Sequence, residues 1–376
     1  MSILKNTYSI KNYITAFITL LFFAILLCSA SPAKANEYSL SEGYEFYKAN
    51  FFTEEGRVVD PRKDNITTSE GQSYILLMSL AMNDKSTFNK AYEWTKNNLQ
   101  QDNYLFGWLW GKDKDGNYRV LDKNSASDAD IDIAFALLKA YEKWKEEKYL
   151  SDAKQIIKSI WKHDTKEIYG QRVLYPGATQ RLGLKDEINP SYLSPYTFKT
   201  FQQYDKSNDW NRVVDSSYKI LNMATKSTKT GLPPDWVILY DDKLVLEDGR
   251  SNFSYDAIRV FPRVFVDYKL TKDKRALPIL KKSHFFIKEW KKDKNLYTNF
   301  KPNGEVKDKH ELIGSISLLI PVINMHDKKK AKQIYENKIL ANLKDKNYFD
   351  DKKGYYTQSL LWFGMYLYQT DLKKKH

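Results

Sequence analysis

Residues 126–144 read Ala-Ser-Asp-Ala-Asp-Ile-Asp-Ile-Ala-Phe-Ala-Leu-Leu-Lys-Ala-Tyr-Glu-Lys-Trp. Ile131, Ala134, Leu138 and Tyr141 recur at three- and four-residue steps. That period places them on one face of an α-helix running from Ser127 to Trp144. Asp128, Asp130 and Asp132 open the segment. A helix start accounts for one or two of them, because Ser127 can cap and first-turn acids complement the dipole. Three like charges at close spacing repel, so the cluster is a candidate for chemistry.

The same period recurs outward from this stretch. Residues 69–82 place Tyr74, Leu77, Met78 and Ala81 on one face. Similar segments fall near 42–52, 87–100, 149–162, 195–206, 210–226, 254–270, 274–291, 310–326, 329–342 and 356–370. About twelve helices result, joined by polar turns such as Asp113-Lys-Asp-Gly-Asn117 and Lys301-Pro-Asn-Gly304. Strand-like runs are few, Trp236-Val-Ile-Leu-Tyr240 being the best. With no Pro/Gly/Ser-rich linker, residues 36–376 read as one all-α domain. Twelve helices of similar length suggest six hairpins closed into a ring, with the site on the loops at one end.

The chain has 376 residues, 42% hydrophobic and 15% aromatic, too apolar for a disordered polymer. Residues 1–35 read as a secretory leader. Lys5 and Lys11 precede an apolar run from Ile14 to Cys28, and Ala33-Lys34-Ala35 offers small residues for cleavage. Lipidation at Cys28 is disfavoured by the bulky Leu27 before it. An uncleaved anchor from Tyr13 to Ala30 is at the short end for a membrane span. All three readings place the domain outside the cytoplasm, secreted or on the cell surface. Cys28 is the single cysteine, so the domain after the leader has no disulfide and no thiolate chemistry. The net charge of +13 is spread through runs such as Lys272-Asp-Lys-Arg275 and Lys328-Lys-Lys330. These suit solvated helix faces and an anionic envelope or polymer; no nucleic-acid motif accompanies them.

Glu70 follows Thr67-Thr68-Ser69 and has its own bland reading as a first-turn acid. Aromatic residues near the acids argue for more. Trp108 and Trp110 lie in Leu105-Phe-Gly-Trp-Leu-Trp-Gly111, read as a loop, and Trp236 follows Pro233-Pro234-Asp235. Tyr192, Tyr196 and Tyr255 lie near turns. Flat rings beside carboxylates suit sugars, whose apolar faces stack on rings and whose hydroxyls bond to acids.

Four blocks resemble glycoside hydrolase family 8. They are Thr68-Ser-Glu-Gly-Gln-Ser-Tyr74, Ala126–Trp144, Asn189-Pro-Ser-Tyr192 and Phe253-Ser-Tyr-Asp-Ala-Ile-Arg259, in the family's order. The resemblance implies an (α/α)6 barrel that hydrolyses β-1,4-linked polysaccharide with inversion. It implies that Glu70 is the general acid and Asp256 the general base. Asp128 would hold the distorted sugar and raise the pKa of Glu70. Tyr255 and Arg259 would flank the base, and Trp108, Trp110, Asp130, Tyr192 and Asp235 would bind substrate. The phrases Ser-Ala-Ser-Asp-Ala-Asp and Ser-Tyr-Asp-Ala-Ile-Arg look closest to the branch tied to bacterial exopolysaccharide and cellulose synthesis. That implies a monomer trimming or releasing biofilm polymer, in association with the cell-envelope machinery.

Rival chemistries lack residues. None of the five histidines sits in a His-Glu-x-x-His pattern, and no Gly-x-Ser-x-Gly elbow or phosphate-cradling glycine loop occurs. No metal or other cofactor is expected. Asp113–Asn117 lacks the later glycine and glutamate of a calcium loop and reads as a solvated turn. A non-catalytic polysaccharide-binding protein on the same scaffold is the alternative, though it need keep neither Glu70 nor Asp256. A toroid lyase would use a Tyr or His base, and the shortage of histidine near these blocks disfavours it.

Overall fold

The computed structural model describes residues 37–178, 185–344, 348–349 and 354–373. The expected leader lies outside them. Among the described residues there are thirteen α-helices, two of them joined into one body, so twelve helical bodies match the sequence reading.

Six helices form an inner ring: α2 (Ser69–Met82), α4 (Ser127–Trp144), α6 (Pro195–Tyr204), α8 (Val260–Thr271), α11 (Ile313–His326) and α13 (Tyr355–Lys373). Each packs on the next, and α13 returns to α2, closing the circle. The outer layer is α1 (Leu40–Phe51), α3 (Lys85–Leu99), α5 (Glu147–Ser159), α7 (Trp210–Lys226), the joined α9 (Ala276–Leu280) and α10 (His284–Asp293), and α12 (Lys328–Ile334). Helices α3, α5, α7, α9 and α12 pack on the inner helix preceding them in sequence, and α1 packs on α13. This is the (α/α)6 barrel.

The two layers differ in patterning as their positions demand. Outer α7 buries Val213, Val214, Ser217, Leu221 and Ala224, a single stripe at helical spacing. Inner α11 is buried from Gly314 to Asn324, on every face. It lies so close to α13 that added β-carbons at Gly314 and Gly364 would meet backbone atoms at 2.8 and 2.4 Å. Only glycine permits that approach. The lumen keeps a cavity of about 290 Å³, walled by Leu77, Phe135, Tyr196, Val266, Leu318 and Phe363, one from each inner helix. Tyr196 lies in the first turn of α6, beside the preceding loop as expected, and lines the lumen.

Four small sheets decorate the ring among the described residues. In one, β1 (Thr67–Thr68) pairs with β2 (Gly107–Lys112), which pairs with β3 (Tyr118–Ser125). The segment read as a loop around Trp108 and Trp110 is thus a strand, with register shifts between Gly107 and Trp110. Asp113–Asn117 makes its tight turn, as expected: Asp113 accepts from the amides of Asp115 and Asn117, both at 2.9 Å. The strands β4 (Thr165–Ile168) and β5 (Gln171–Leu174) form a second hairpin. In a third sheet β6 (Asp186–Ile188), β7 (Val237–Tyr240) and β8 (Lys243–Val245) pair in that order. A last pair joins β9 (Leu343–Lys344) to β10 (Tyr348–Phe349).

Two helix starts depart from expectation. Ser127 does not cap α4; it is the first helical residue, and its hydroxyl donates to the Tyr175 carbonyl at 2.6 Å. The helix expected from 254 begins at Val260, after a 3-10 turn, Ala257–Arg259. The cause is Asp235, whose carboxylate accepts from the amides of Ser254 at 3.0 Å and Ala257 at 2.7 Å. Those donors, bound to a side chain, hold Tyr255 and Asp256 in a turn at the barrel mouth.

Candidate active site

Thr68 caps α2, its hydroxyl accepting from the Gly71 amide at 3.0 Å, which sets Glu70 in the first turn. On the neighbouring inner helix, Asp128 occupies the first turn of α4. Asp256 and Arg259 come from the turn that Asp235 shapes. These four side chains meet. The Arg259 guanidinium donates through Nη1 to Glu70 Oε2 at 2.6 Å and to Asp128 Oδ2 at 2.8 Å. Through Nη2 it donates to Asp256 Oδ1 at 2.7 Å. Since Glu70 and Asp256 share one guanidinium, their bonded oxygens lie no more than roughly 8 Å apart.

The site is graded from buried to open. Arg259 and Asp128 are buried, Glu70 and Asp256 partly exposed, and Tyr255 half-exposed at the rim. The other Asp256 oxygen accepts from Trp236 Nε1 at 3.1 Å, so both faces of this carboxylate are oriented. Tyr192 lies beneath the Arg259 guanidinium, 5.5 Å from its ring centre, and edge-on to Trp236. Tyr356 donates to the Tyr255 carbonyl at 2.9 Å and bridges back to Tyr74 on α2.

Burial pushes the Glu70 carboxyl up to about 7, with Asp128 and Asp256 adding to the rise and Arg259 opposing it. Desolvation is thus the larger cause, and Asp128 acts in the expected direction beside it. Asp128 is also held above the ordinary carboxylate range by burial, against the pull of Arg259 and Arg263. Asp235 rises to about 6 for the same reason.

Not every expected residue reaches the cleft. Asp130 is fully buried and accepts from the Phe106 amide at 3.0 Å, which leaves it no surface to offer a sugar. Asp235 is buried too and acts on the backbone of the 254–257 turn. The Trp110 ring is already covered: Tyr118 stacks on it at 4.9 Å, Trp94 meets it edge-on, and Arg57 lies over it. Trp108 remains partly exposed on β2. Two partners, Tyr356 and Arg263, were absent from the sequence reading, which placed Asp132 in the acid cluster without naming its partner. Tyr356 comes from the last helix, with no local signal. Arg263 and Asp132 make a buried two-bond pair, at 2.9 and 2.7 Å, one turn below Arg259 and Asp128. The four-residue step from Asp128 to Asp132 and from Arg259 to Arg263 is the signal that would have found them.

A closed toroid of six helical hairpins, with carboxylates from separate inner segments gathered at one mouth, is the frame of a glycosidase-type scaffold. The profile of Glycosyl hydrolases family 8 matches residues 10–370, and the chain belongs to that family. An endoglucanase of Escherichia coli O157:H7 is 35% identical over 229 residues, 58% of this chain and 60% of the relative. The chain thus aligns to well under two thirds of that relative's length. An endoglucanase of Pseudomonas fluorescens (strain SBW25) is 32% identical over 271 residues, 69% of this chain and 67% of the relative. The crystal structure of the endo-1,4-D-glucanase from Vibrio fischeri ES114 matches with a TM-score of 0.76 at 30% identity, covering 87% of this chain and 94% of that one.

Proposed function

We propose that the protein is an exported endo-acting glycoside hydrolase that cleaves β-1,4-linked glucan with inversion at the anomeric carbon. The observation that carries this reading is the Arg259 node. It holds Glu70 and Asp256, 186 positions apart in sequence, on one guanidinium. Inverting glycosidases place their two carboxyls roughly 6.5–9.5 Å apart to admit a water, and the bound of roughly 8 Å is compatible with that.

Glu70, kept protonated by its burial, gives its proton to the glycosidic oxygen as that bond breaks. Asp256 takes a proton from the water that attacks the anomeric carbon from the opposite face. The bond from carbon to the leaving sugar is replaced by one to the water oxygen. The two carboxyls end with exchanged protonation states and reset through solvent. Arg259 and Trp236 fix the Asp256 oxygens, and the Tyr255 ring stands at the rim where a sugar enters. Asp128, beside Glu70 on the same guanidinium nitrogen, supports positive charge developing on the sugar ring.

The names of the relatives support glucan as substrate. The branch-like phrases around Asp128 and Asp256 support a bacterial exopolysaccharide made by the producing cell, trimmed or released as biofilm polymer. The leader-like residues 1–35 support export, and one chain supplies every residue of the site, which suits a monomer. The test is reducing-end release from carboxymethyl-cellulose, mixed-linkage glucan, xylan, chitosan and the producer's own polymer, with wild type and Glu70→Gln side by side. Glu70-dependent release from a β-1,4-glucan is expected. Retained binding with no release by wild type would make it a binding protein, and products absorbing in the ultraviolet would make it a lyase.

A further inference from the structure

Two buried acids behind the cleft are unexplained by the reaction. Asp130 and Asp164 are both fully buried. Asp130 Oδ1 accepts from the Phe106 amide at 3.0 Å, and Asp164 Oδ1 accepts from the Ser125 hydroxyl at 3.1 Å. Phe106 enters β2 and Ser125 ends β3, and Gly107 stands opposite Ser125 in the ladder. The two carboxyls therefore grip the two strands of one hairpin at its base. The remaining oxygen of each, Oδ2, has neither solvent nor a hydrogen-bond partner.

An ionised carboxylate with no donor and no counter-charge is expensive to bury. Among the described residues, no cation offsets these two. The charges acting on Asp130 are those of Asp164 and Asp128, both negative. On Asp164 the Ser125 hydroxyl is the favourable contact seen among the described residues. Lys162 and His163, next to Asp164 in the chain, are exposed and half-exposed. The phenol of Tyr175, whose amide meets the Asp164 carbonyl, is engaged by Asp186. Two carboxyls in one dry site cannot both ionise, and one retains its proton.

We propose that Asp130 and Asp164 form an acid–carboxylate pair sharing one proton between their Oδ2 atoms, and that this pair clamps the base of the β2–β3 hairpin. They are positioning residues. The hairpin carries Trp108, and through β1–β2 pairing it braces Thr68 beside Glu70. Loss of the proton sets two negative charges against each other and loosens the hairpin. Burial pushes both carboxyls up, Asp164 to about 8, so the clamp holds at neutral pH and fails in alkali.

For its kinetic readout the inference rests on the proposed glucanase activity; its spectroscopic readout does not. The experiment is difference infrared spectroscopy of the carboxylic-acid carbonyl band across pH, together with KM for the preferred glucan, on wild type, Asp164→Asn and Asp164→Ala. A protonated buried carboxyl that is missing in Asp164→Asn, and so is not Glu70, is expected in wild type at pH 7, disappearing at alkaline pH as KM rises about tenfold. Asp164→Asn, whose amide is a permanent donor, should keep KM low through that range, and Asp164→Ala should have a raised KM at every pH. The ionisation of Glu70 reads out in kcat instead. The proposal is overturned if no such proton is seen at pH 7, or if Asp164→Asn shows the wild-type alkaline rise in KM. It is also overturned if a chelator raises KM in wild type at pH 7, which would put a cation between the acids. If no glycan is cleaved, the infrared titration alone decides the pair.

Discussion

At the residue scale the account turns on Glu70. Its carboxyl sits near 7 because burial penalises the ion more than Arg259 rewards it. Glu70→Gln keeps the shape and the bond to Arg259 but has no proton to give. Turnover should fall by about 10²–10⁴-fold with glycan binding retained, as measured by initial rates and by affinity electrophoresis. Asp256→Asn should fall comparably, since an amide cannot deprotonate water. In wild type, kcat should decline as pH rises through about 7, where the acid ionises, and a pH–rate profile checks this. The sign for stability is the same. A carboxyl raised above its ordinary 4.5 binds its proton more tightly in the fold. Its contribution is complete below that value and lost by about pH 7. Glu70→Gln should therefore raise the thermal midpoint relative to wild type at pH 8 and not at pH 4. Glu70, Asp128, Asp256 and Arg259 were legible in the sequence because each sits in a short block of distinctive residues. Asp130 was legible as an unusual acid but not as one bound to the β2–β3 hairpin, because three aspartates at a helix start do not reveal which of them joins the Arg259 node.

At the element scale, α4 is locked to α8 and the turn before it by two stacked acid–arginine contacts, Asp128–Arg259 above and Asp132–Arg263 below. The lower pair, one turn below the carboxylates at the mouth, holds the register of the two helices on which the upper pair depends. Arg263→Met leaves Asp132 buried without its partner. It should destabilise the fold by about 3–5 kcal/mol, read from urea unfolding followed by circular dichroism. Helix starts were the least legible feature. The α8 segment looks helical from 254 onward, yet a carboxylate from 235 captures its first amides, and no local pattern announces a capture across that distance. The Trp108–Trp110 segment was misread for a related reason. Alternation over six residues is short, and its pairing with both Thr67–Thr68 and Tyr118–Ser125 is set by tertiary placement.

At the scale of the whole molecule, the helical period and helix count were enough to suggest a ring, because a large all-α chain must bury both faces of its inner helices. Ring closure by α13 against α1 and α2 was beyond pattern reading, since it joins the two ends of the chain. The seat of α13 on α11 depends on the backbone contact at Gly364, where a β-carbon would lie 2.4 Å from Ser317 backbone atoms. Gly364→Val should cost about 1–3 kcal/mol or more and lower the thermal midpoint, with activity lost in proportion to unfolding rather than through KM. The ring matters because it alone brings Glu70, Asp128 and Asp256 to one guanidinium. The most direct test of the mechanism that follows is proton NMR of the first product from a cello-oligosaccharide, recorded before mutarotation. The α-anomer at the new reducing end, absent with Glu70→Gln, is the predicted result. The β-anomer as first product would contradict the Glu70–Asp256 assignment.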